Sequence, residues 1–297
     1  MTLEQLRIFI AVAERQHVTK AARALNLAQS AASHAIATLE ARHDTKLFDR
    51  IGRRIELTEA GEAFLAEARA VLARVERAEL ALSEFGTLQR GTLVVQASQT
   101  IASYWLPRHL VAFRRRHPQI SIRLTVGNTA QVAAAVESGT AELGFVEGAV
   151  EKTHFASVPV ARDQLIIVVS PEHPWAERKD VTVSELMEAE WVLREPGSGT
   201  RSAFEDAMRV ACAQDRALRI ALELPSNEAV RAAVEAGMGA TALSASVAAS
   251  SIEAGLLCQV HFHLPEREFH VLRHSNRVLS RAAGALLAMV DGTAGEG

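Results

Sequence analysis

The sequence has few cysteines, few aromatics, no long apolar run and none of the common catalytic signatures. Each lack excludes something. Two cysteines in 297 residues, Cys212 and Cys258, cannot build a disulfide framework and read as structural thiols of a reduced, intracellular chain. Aromatic residues make up only 5%, which disfavours an aromatic-lined platform for nucleic acid or sugar. Apolar stretches such as Leu165 to Val169 are broken by charge long before the roughly 18 residues that a membrane span needs. Met1 to Ile10 carries Glu4 and Arg7 inside its apolar pattern instead of the basic-then-apolar layout of a secretion signal. The expectation is a cytoplasmic chain without a membrane partner. GxSxG, HExxH, GxGxxG and the Walker pattern are all missing. His261 and His263 would share one face of a strand, but two histidines fall short of a zinc site. No metal, no cofactor and no catalytic residue is therefore expected, and an enzyme is disfavoured.

What is present is ordinary globular stock, 48% apolar and 23% charged, in a length that suits two or three compact units. The net charge of −3 is unevenly divided. Residues 1–58 hold nine Lys/Arg against six Asp/Glu, a balance of +3, whereas 59–90 carry −2 and 91–297 carry −4. A basic head on an acidic body suggests that the head meets a polyanion.

In the head, Leu3, Leu6, Ile8, Phe9, Ile10 and Val12 behind Thr2 make an amphipathic first helix. Thr19 caps or begins a short second helix that Asn26 stops, and a third runs from about Gln29 to Arg42. That is a helix-turn-helix layout. Arg50-Ile51-Gly52-Arg53-Arg54-Ile55-Glu56-Leu57 alternates about a glycine and reads as a basic β-wing. From Glu59 to about Leu88 there is no proline, so one helix of about 45 Å is expected. Phe64, Ala68, Val71, Val75, Ala78, Leu82 and Phe85 recur at spacings of 4 and 3, the seam of a two-stranded coiled coil; packing on the chain's own globular body is the alternative.

Beyond Gly91, strands alternate with helices, which implies an α/β body of mainly parallel sheets in two lobes, with crossings near Ala161 and Leu264 as a hinge. Four times a strand is followed by Ser, Thr, Gly or Asn and then a helix: Ser98-Gln99-Thr100, Asn128-Thr129, Gly197-Ser198-Gly199-Thr200 and Ser226-Asn227. Each alone is an N-cap; several facing one cleft would hold a small anion on free N–H groups and helix dipoles. Ser98, Thr100, Thr129, Ser198, Thr200 and Asn227 are the candidates, and Glu147, just after a strand, either lines the cleft or faces solvent.

Leu25-Asn26-Leu27-Ala28-Gln29-Ser30-Ala31-Ala32-Ser33-His34-Ala35-Ile36, with Leu39-Glu40, Leu47-Phe48-Asp49-Arg50 and Leu57-Thr58-Glu59-Ala60-Gly61, closely resembles the LysR-type transcriptional regulators. The likeness extends over essentially the whole chain. It implies an α+β protein: a winged helix-turn-helix domain at 1–58, a coiled-coil linker and dimerisation helix at 59–90, and a periplasmic-binding-protein-like effector domain at 91–297. Within that domain lobe I spans about 91–161 and 265–297, and lobe II about 162–264. It further implies a homodimer or homotetramer on double-stranded operator DNA, a small co-inducer in the interlobe cleft, and contact with RNA polymerase. By the same resemblance Thr19, Gln29, Ser30, Ser33 and His34 face the major groove or its phosphates, and Arg50, Arg53 and Arg54 face the backbone or minor groove. Asp44 stands where the family commonly has glycine, and Gln16-His17 where it usually has Gly-Ser. Ala97-Ser98-Gln99-Thr100-Ile101 and Arg194-Glu195-Pro196-Gly197-Ser198-Gly199-Thr200-Arg201 resemble the subgroup that regulates sulfur assimilation and carbon fixation. That points to a sulfite- or sulfate-like oxyanion, or else to a phosphorylated or carboxylate metabolite, the larger ligand gaining weight if Arg201 enters the cleft. The rival functions are a ligand-independent DNA binder and a solute-binding protein.

Overall fold

The computed structural model describes all residues except 52–53, 84–90, 149, 151–153, 213–216 and 292–297. The chain forms two compact units, one whose main body lies within Met1–Phe85 and one within Gly86–Glu137 and Ala141–Gly297.

In the first unit, α1 (Leu3–Arg15), α2 (Val18–Ala24) and α3 (Gln29–His43) precede the antiparallel pair β1 (Phe48–Ile51) and β2 (Arg54–Leu57) and the helix α4 (Glu59–Ser83). Thr2 and Gln5 make a reciprocal capping box on α1, as the order of residues predicts. Thr19 does not cap α2; it is the helix's second residue, and His17 at the cap makes no side-chain bond. Asp44 takes the left-handed conformation at φ 46° that ends α3, which a short polar side chain tolerates. Thr58 Oγ accepts from Gly61 N at 3.0 Å and donates to Lys46 O at 2.8 Å, so one hydroxyl starts α4 and ties it to the wing. A Cβ at Gly61 would collide with Leu47 O, which explains glycine there.

The core of this unit joins Leu6, Phe9, Val12, Ala22, Ile36 and Leu39 to α4. Phe9 lies 4.9 Å from Phe64 and 5.3 Å from Phe48, ring to ring. Phe64 and Ala68, expected on a seam with a partner helix, therefore pack against the chain's own α1. Val71, the next seam residue, is 39% exposed and Ala78 is exposed. The wing residues Gly52 and Arg53 lie outside the described residues, as does the last stretch of the expected helix.

The second unit begins with β3 (Gly91–Ser98), a π-helical turn (Ile101–Trp105) leading directly into α5 (Leu106–Arg116), β4 (Ile120–Gly127), α6 (Thr129–Ser138) and β5 (Leu143–Glu147). Next come β6 (Phe155–Val169), α7 (Val183–Glu188), β7 (Glu190–Arg194), α8 (Gly199–Cys212) and β8 (Arg219–Leu224). The last described elements are α9 (Asn227–Glu235), β9 (Ala240–Ser244), α10 (Ala245–Glu253), β10 (Cys258–Gln259), β11 (Glu266–His274) and α11 (Arg281–Asp291). The strands run in the order β4-β3-β5-β11-β6-β9-β7-β8, with β10 beside β6.

Pairing is parallel where a helix crosses over, as in β3 with β4 and β5, and antiparallel around β6 and β11, so the sheets are mixed and not mainly parallel. β6 does not break at the expected crossing: Ala161 sits opposite Phe269 inside a continuous strand whose 155–164 portion pairs with β11 and whose 165–169 portion pairs with β9. Between Phe269 and His270 of β11 the register shifts so that β6 carries one extra residue, Val160, next to Pro159, which has no N–H to give the ladder. One core, with Leu93, Phe113, Leu143, Phe145 and Leu286, fills the first lobe; another, with Ile167, Trp191, Phe204 and Met208, fills the second. His261 and His263 follow β10 outside any strand, and among the described residues no group of His, Cys, Asp or Glu is placed to hold a metal. Among the described residues no helix is long and apolar enough to cross a membrane.

Candidate functional site

On the head, α3 buries Ala32, Ile36 and Leu39 and leaves Gln29, Ser30 and His34 exposed, with Ser33 and Thr19 half-buried. Gln29 Nε2 donates to Ser33 Oγ at 3.0 Å, so these two polar groups share one helical face. Neither α2 nor α3 has a side-chain cap, so the first N–H groups of each helix are not taken by a capping side chain. Beneath the helix, Glu40 is buried where it pairs with Lys46 at 2.8 Å and accepts from Leu47 N at 2.9 Å and Phe48 N at 3.3 Å. Burial opposes its charge, but the Lys46 ammonium and the two backbone donors outweigh that and hold its carboxyl below the usual range. Glu40 thus fixes the start of the wing against α3. Arg50 and Arg54 lie on the two wing strands in register positions opposite Ile55 and Ile51.

In the body, the four loop-to-helix segments converge between the lobes. Asn227 Nδ2 donates to Thr100 Oγ1 at 3.1 Å, and Asn227 N donates to Gln99 Oε1 at 2.9 Å. Asn128 Nδ2 donates to Glu195 Oε1 at 3.1 Å, and Ala130 N donates to Gly197 O at 3.2 Å. Thr129 Oγ1 donates to Glu147 Oε2 at 3.2 Å. Ser98, Thr100, Glu147, Ser198, Thr200 and Asn227 are all buried, and Thr129 is half-buried. A Cβ at Gly199 would lie 2.6 Å from Thr129 Oγ1 and 2.9 Å from Glu147 O, so the start of α8 can approach β5 and α6 only because it has no side chain there.

The structure narrows the expected set of free helix ends. The leading amides of α6 and α9 are taken: Ala130 N by Gly197 O, Gln131 N by Asn128 Oδ1, Asn227 N by Gln99 Oε1 and Ala229 N by Ser226 Oγ. The N–H groups of Gly199, Thr200 and Arg201 at the start of α8 donate to no described acceptor. Ser98 Oγ, in a residue only 2% exposed, likewise has no partner among the described residues.

Two arginines that the spacing argument did not identify as cleft groups complete the cleft. Arg267 on β11 is buried; its Nη1 donates to Thr200 Oγ1 at 3.1 Å and its Nε to Asp163 Oδ2 at 2.7 Å. Its Nη2 also lies 2.6 Å from Asp163 Oδ2, but without hydrogen-bond geometry. Arg194 is buried between Glu195, at 2.8 and 2.9 Å, and Asn227 Oδ1, at 2.7 Å. Burial opposes the Glu195 charge, yet the Arg194 and Asn128 donors hold its carboxyl below the usual range. Arg201 is spent on Glu205 at 2.8 Å and Glu223 at 2.7 Å, so it is not the cleft cation. Arg267 left no local signal, because only the return of β11 beside β6 brings it to Thr200.

Residues 3–62 match the bacterial regulatory helix-turn-helix protein, lysR family, and residues 86–294 match the LysR substrate binding domain. The "Probable RuBisCO transcriptional regulator" of Cyanophora paradoxa is 33% identical over 95% of this chain and 89% of its own. The "Uncharacterized HTH-type transcriptional regulator YeiE" of Escherichia coli (strain K12) is 34% identical over 98% and 97%. Full-length CbnR complexed with its target DNA superimposes with a TM-score of 0.71 at 25% identity over 99% of this chain and 100% of that one. The regulatory domain of Synechocystis PCC6803 CcmR in complex with 2-PG superimposes with a TM-score of 0.63 at 25% identity, covering 70% and 99%.

Proposed function

The chain belongs to the LysR family of DNA-binding transcriptional regulators, with a head that binds DNA and an effector-binding body, and on that premise we propose how the two ends work. The exposed Gln29, Ser30 and His34 of α3, with the half-buried Ser33 and Thr19, meet the major groove, and the uncapped ends of α2 and α3 take backbone phosphates. Arg50, Arg53 and Arg54 on the wing supply affinity along the backbone or minor groove. The protein acts in the cytoplasm as a homodimer through the exposed part of α4, assembling to a tetramer, and signals to RNA polymerase.

The body takes a small anionic effector in the interlobe cleft. The observation that carries this reading is the start of α8: three unused amides at Gly199, Thr200 and Arg201 beside the buried Arg267 and the unpartnered Ser98 hydroxyl. Ser98, Thr100, Thr129, Glu147, Ser198, Thr200 and Asn227 line it. An oxyanion of the sulfite or sulfate kind and a phosphorylated or carboxylate metabolite both suit a helix end, and the complex of CcmR with 2-PG is a precedent for a regulatory domain of this shape holding a small ligand. A thermal-shift screen of the full chain against sulfate, sulfite, phosphate, phosphate esters and small carboxylates tests it, because a ligand of the folded state raises the melting temperature with concentration. A shift that Thr200→Ala and Thr100→Ala both reduce by at least tenfold in apparent affinity supports the assignment. Undiminished affinity in both variants sinks it.

A further inference from the structure

We infer that the effector is not a bare oxyanion but an organic anion that also carries a hydrogen-bond donor, a hydroxyl or an ammonium, placed against Glu147. This rests on the anion-cleft reading above and concerns the chemistry that the cleft selects. The two guanidiniums beside the start of α8 are already matched: Arg267 by Asp163, and Arg194 by Glu195. Glu147 is 5% exposed, and among the described residues no cation lies within ion-pair distance of it. Its carboxylate receives one neutral hydroxyl, from Thr129 at 3.2 Å. Arg267, Arg194, Asp163, Glu195 and Glu147 therefore sum to one negative charge in excess.

A carboxylate so little exposed, with a single neutral donor from the described residues, has acceptor positions left for a donor that a ligand brings. Gly199 brings the same carboxylate residue against the α8 start, for a Cβ there would lie 3.0 Å from Glu147 Cβ. An inorganic oxyanion seated on the α8 amides would therefore face Glu147 with no proton to offer and only repulsion to gain. A ligand whose anionic group takes the α8 amides and whose hydroxyl or ammonium turns to Glu147 satisfies both. Glu147 in this way acts as a filter that rejects inorganic anions, which are abundant, in favour of a metabolite.

The test uses the full chain and inorganic sulfate, ethyl phosphate, 2-hydroxyethyl phosphate and O-phosphoethanolamine as probes, with apparent affinities from thermal shift and calorimetry. The wild type should favour the hydroxyl- and ammonium-bearing phosphates over ethyl phosphate by about tenfold. Glu147→Gln should bind sulfate about tenfold more tightly than the wild type and lose its preference for O-phosphoethanolamine. Glu147→Asp, which keeps the charge, should keep the rejection of sulfate, so the pair separates charge from folding. If Glu147→Gln leaves sulfate affinity and ligand preference unchanged while Thr200→Ala weakens anion binding, the inference is wrong and the anion cleft stands. If none of the probes binds the wild type or any variant, the anion cleft itself is wrong and the inference goes with it.

Discussion

Glu40 is a single carboxylate on the inner side of α3, yet it holds Lys46 and the two amides that open the wing. Replacing it by Gln should cost about 1–3 kcal/mol of head stability, since it weakens one charged pair and two charge-assisted bonds in a buried place. Hydrogen exchange of the α3 amides reads this directly, and unchanged protection would refute it. Its pH dependence has a definite sign. The folded carboxyl titrates below its ordinary value of 4.5, so its stabilisation is complete above that value and is lost as pH falls through the lower folded value. Wild-type protection of α3 should decline in acid below about pH 4.5, and the Gln variant should lack that component. Gly199 is the second residue to which a function can be pinned. Gly199→Ala must displace Thr129 or Glu147 and should loosen the contact between the lobes, lowering anion affinity by tenfold or more while helix propensity improves. The sequence made Gly199 legible as a glycine beside a helix start, but not the carboxylate it touches. Glu40 was legible only as part of a family motif, because a charged residue on an apolar helix face carries no sign of the partners that tertiary folding brings.

Elements with their own local chemistry were legible, and those defined by distant contacts were not. α1 follows from its capping box and apolar spacing, and the wing pair from alternation about Gly52. α4 was legible as a helix, but the partner of its apolar stripe was not, since a stripe of period 3.5 packs equally well on a globular core. Phe64 and Ala68 serve the head, and only from Val71 onward does the stripe emerge. Phe64→Ala should therefore destabilise the head by roughly 2–3 kcal/mol through loss of the contact with Phe9. Val71→Glu should leave the head folded and lower the dimer fraction measured by analytical ultracentrifugation; a dimer of wild-type strength would place the interface elsewhere. α10 went unread because its Ala245–Glu253 segment has small residues in place of a marked apolar face, and the strand expected from Leu257 to His263 shrinks to Cys258–Gln259. In the body, the four loop-to-helix segments were legible one by one, while the consumption of two helix ends by cross-lobe bonds became visible only in three dimensions.

At the scale of the whole molecule, the division of charge sets how the protein meets DNA. A head of +3 joined to segments of −2 and −4 should bind DNA with strong salt dependence although the chain as a whole is acidic. Arg54→Ala should flatten the slope of log affinity against log salt by about one, and an unchanged slope would move the wing off the backbone. Within the body, β6 has a consequence for cooperativity. Its fifteen residues form one strand that pairs first with β11 and then with β9, one sheet passing directly into the other. Melting either sheet strips partners from the same strand, so neither lobe can come apart alone. Calorimetry should resolve a single endotherm for both lobes, with matching van't Hoff and calorimetric enthalpies for that transition, and an effector bound to one lobe's residues should stiffen the other by the same free energy.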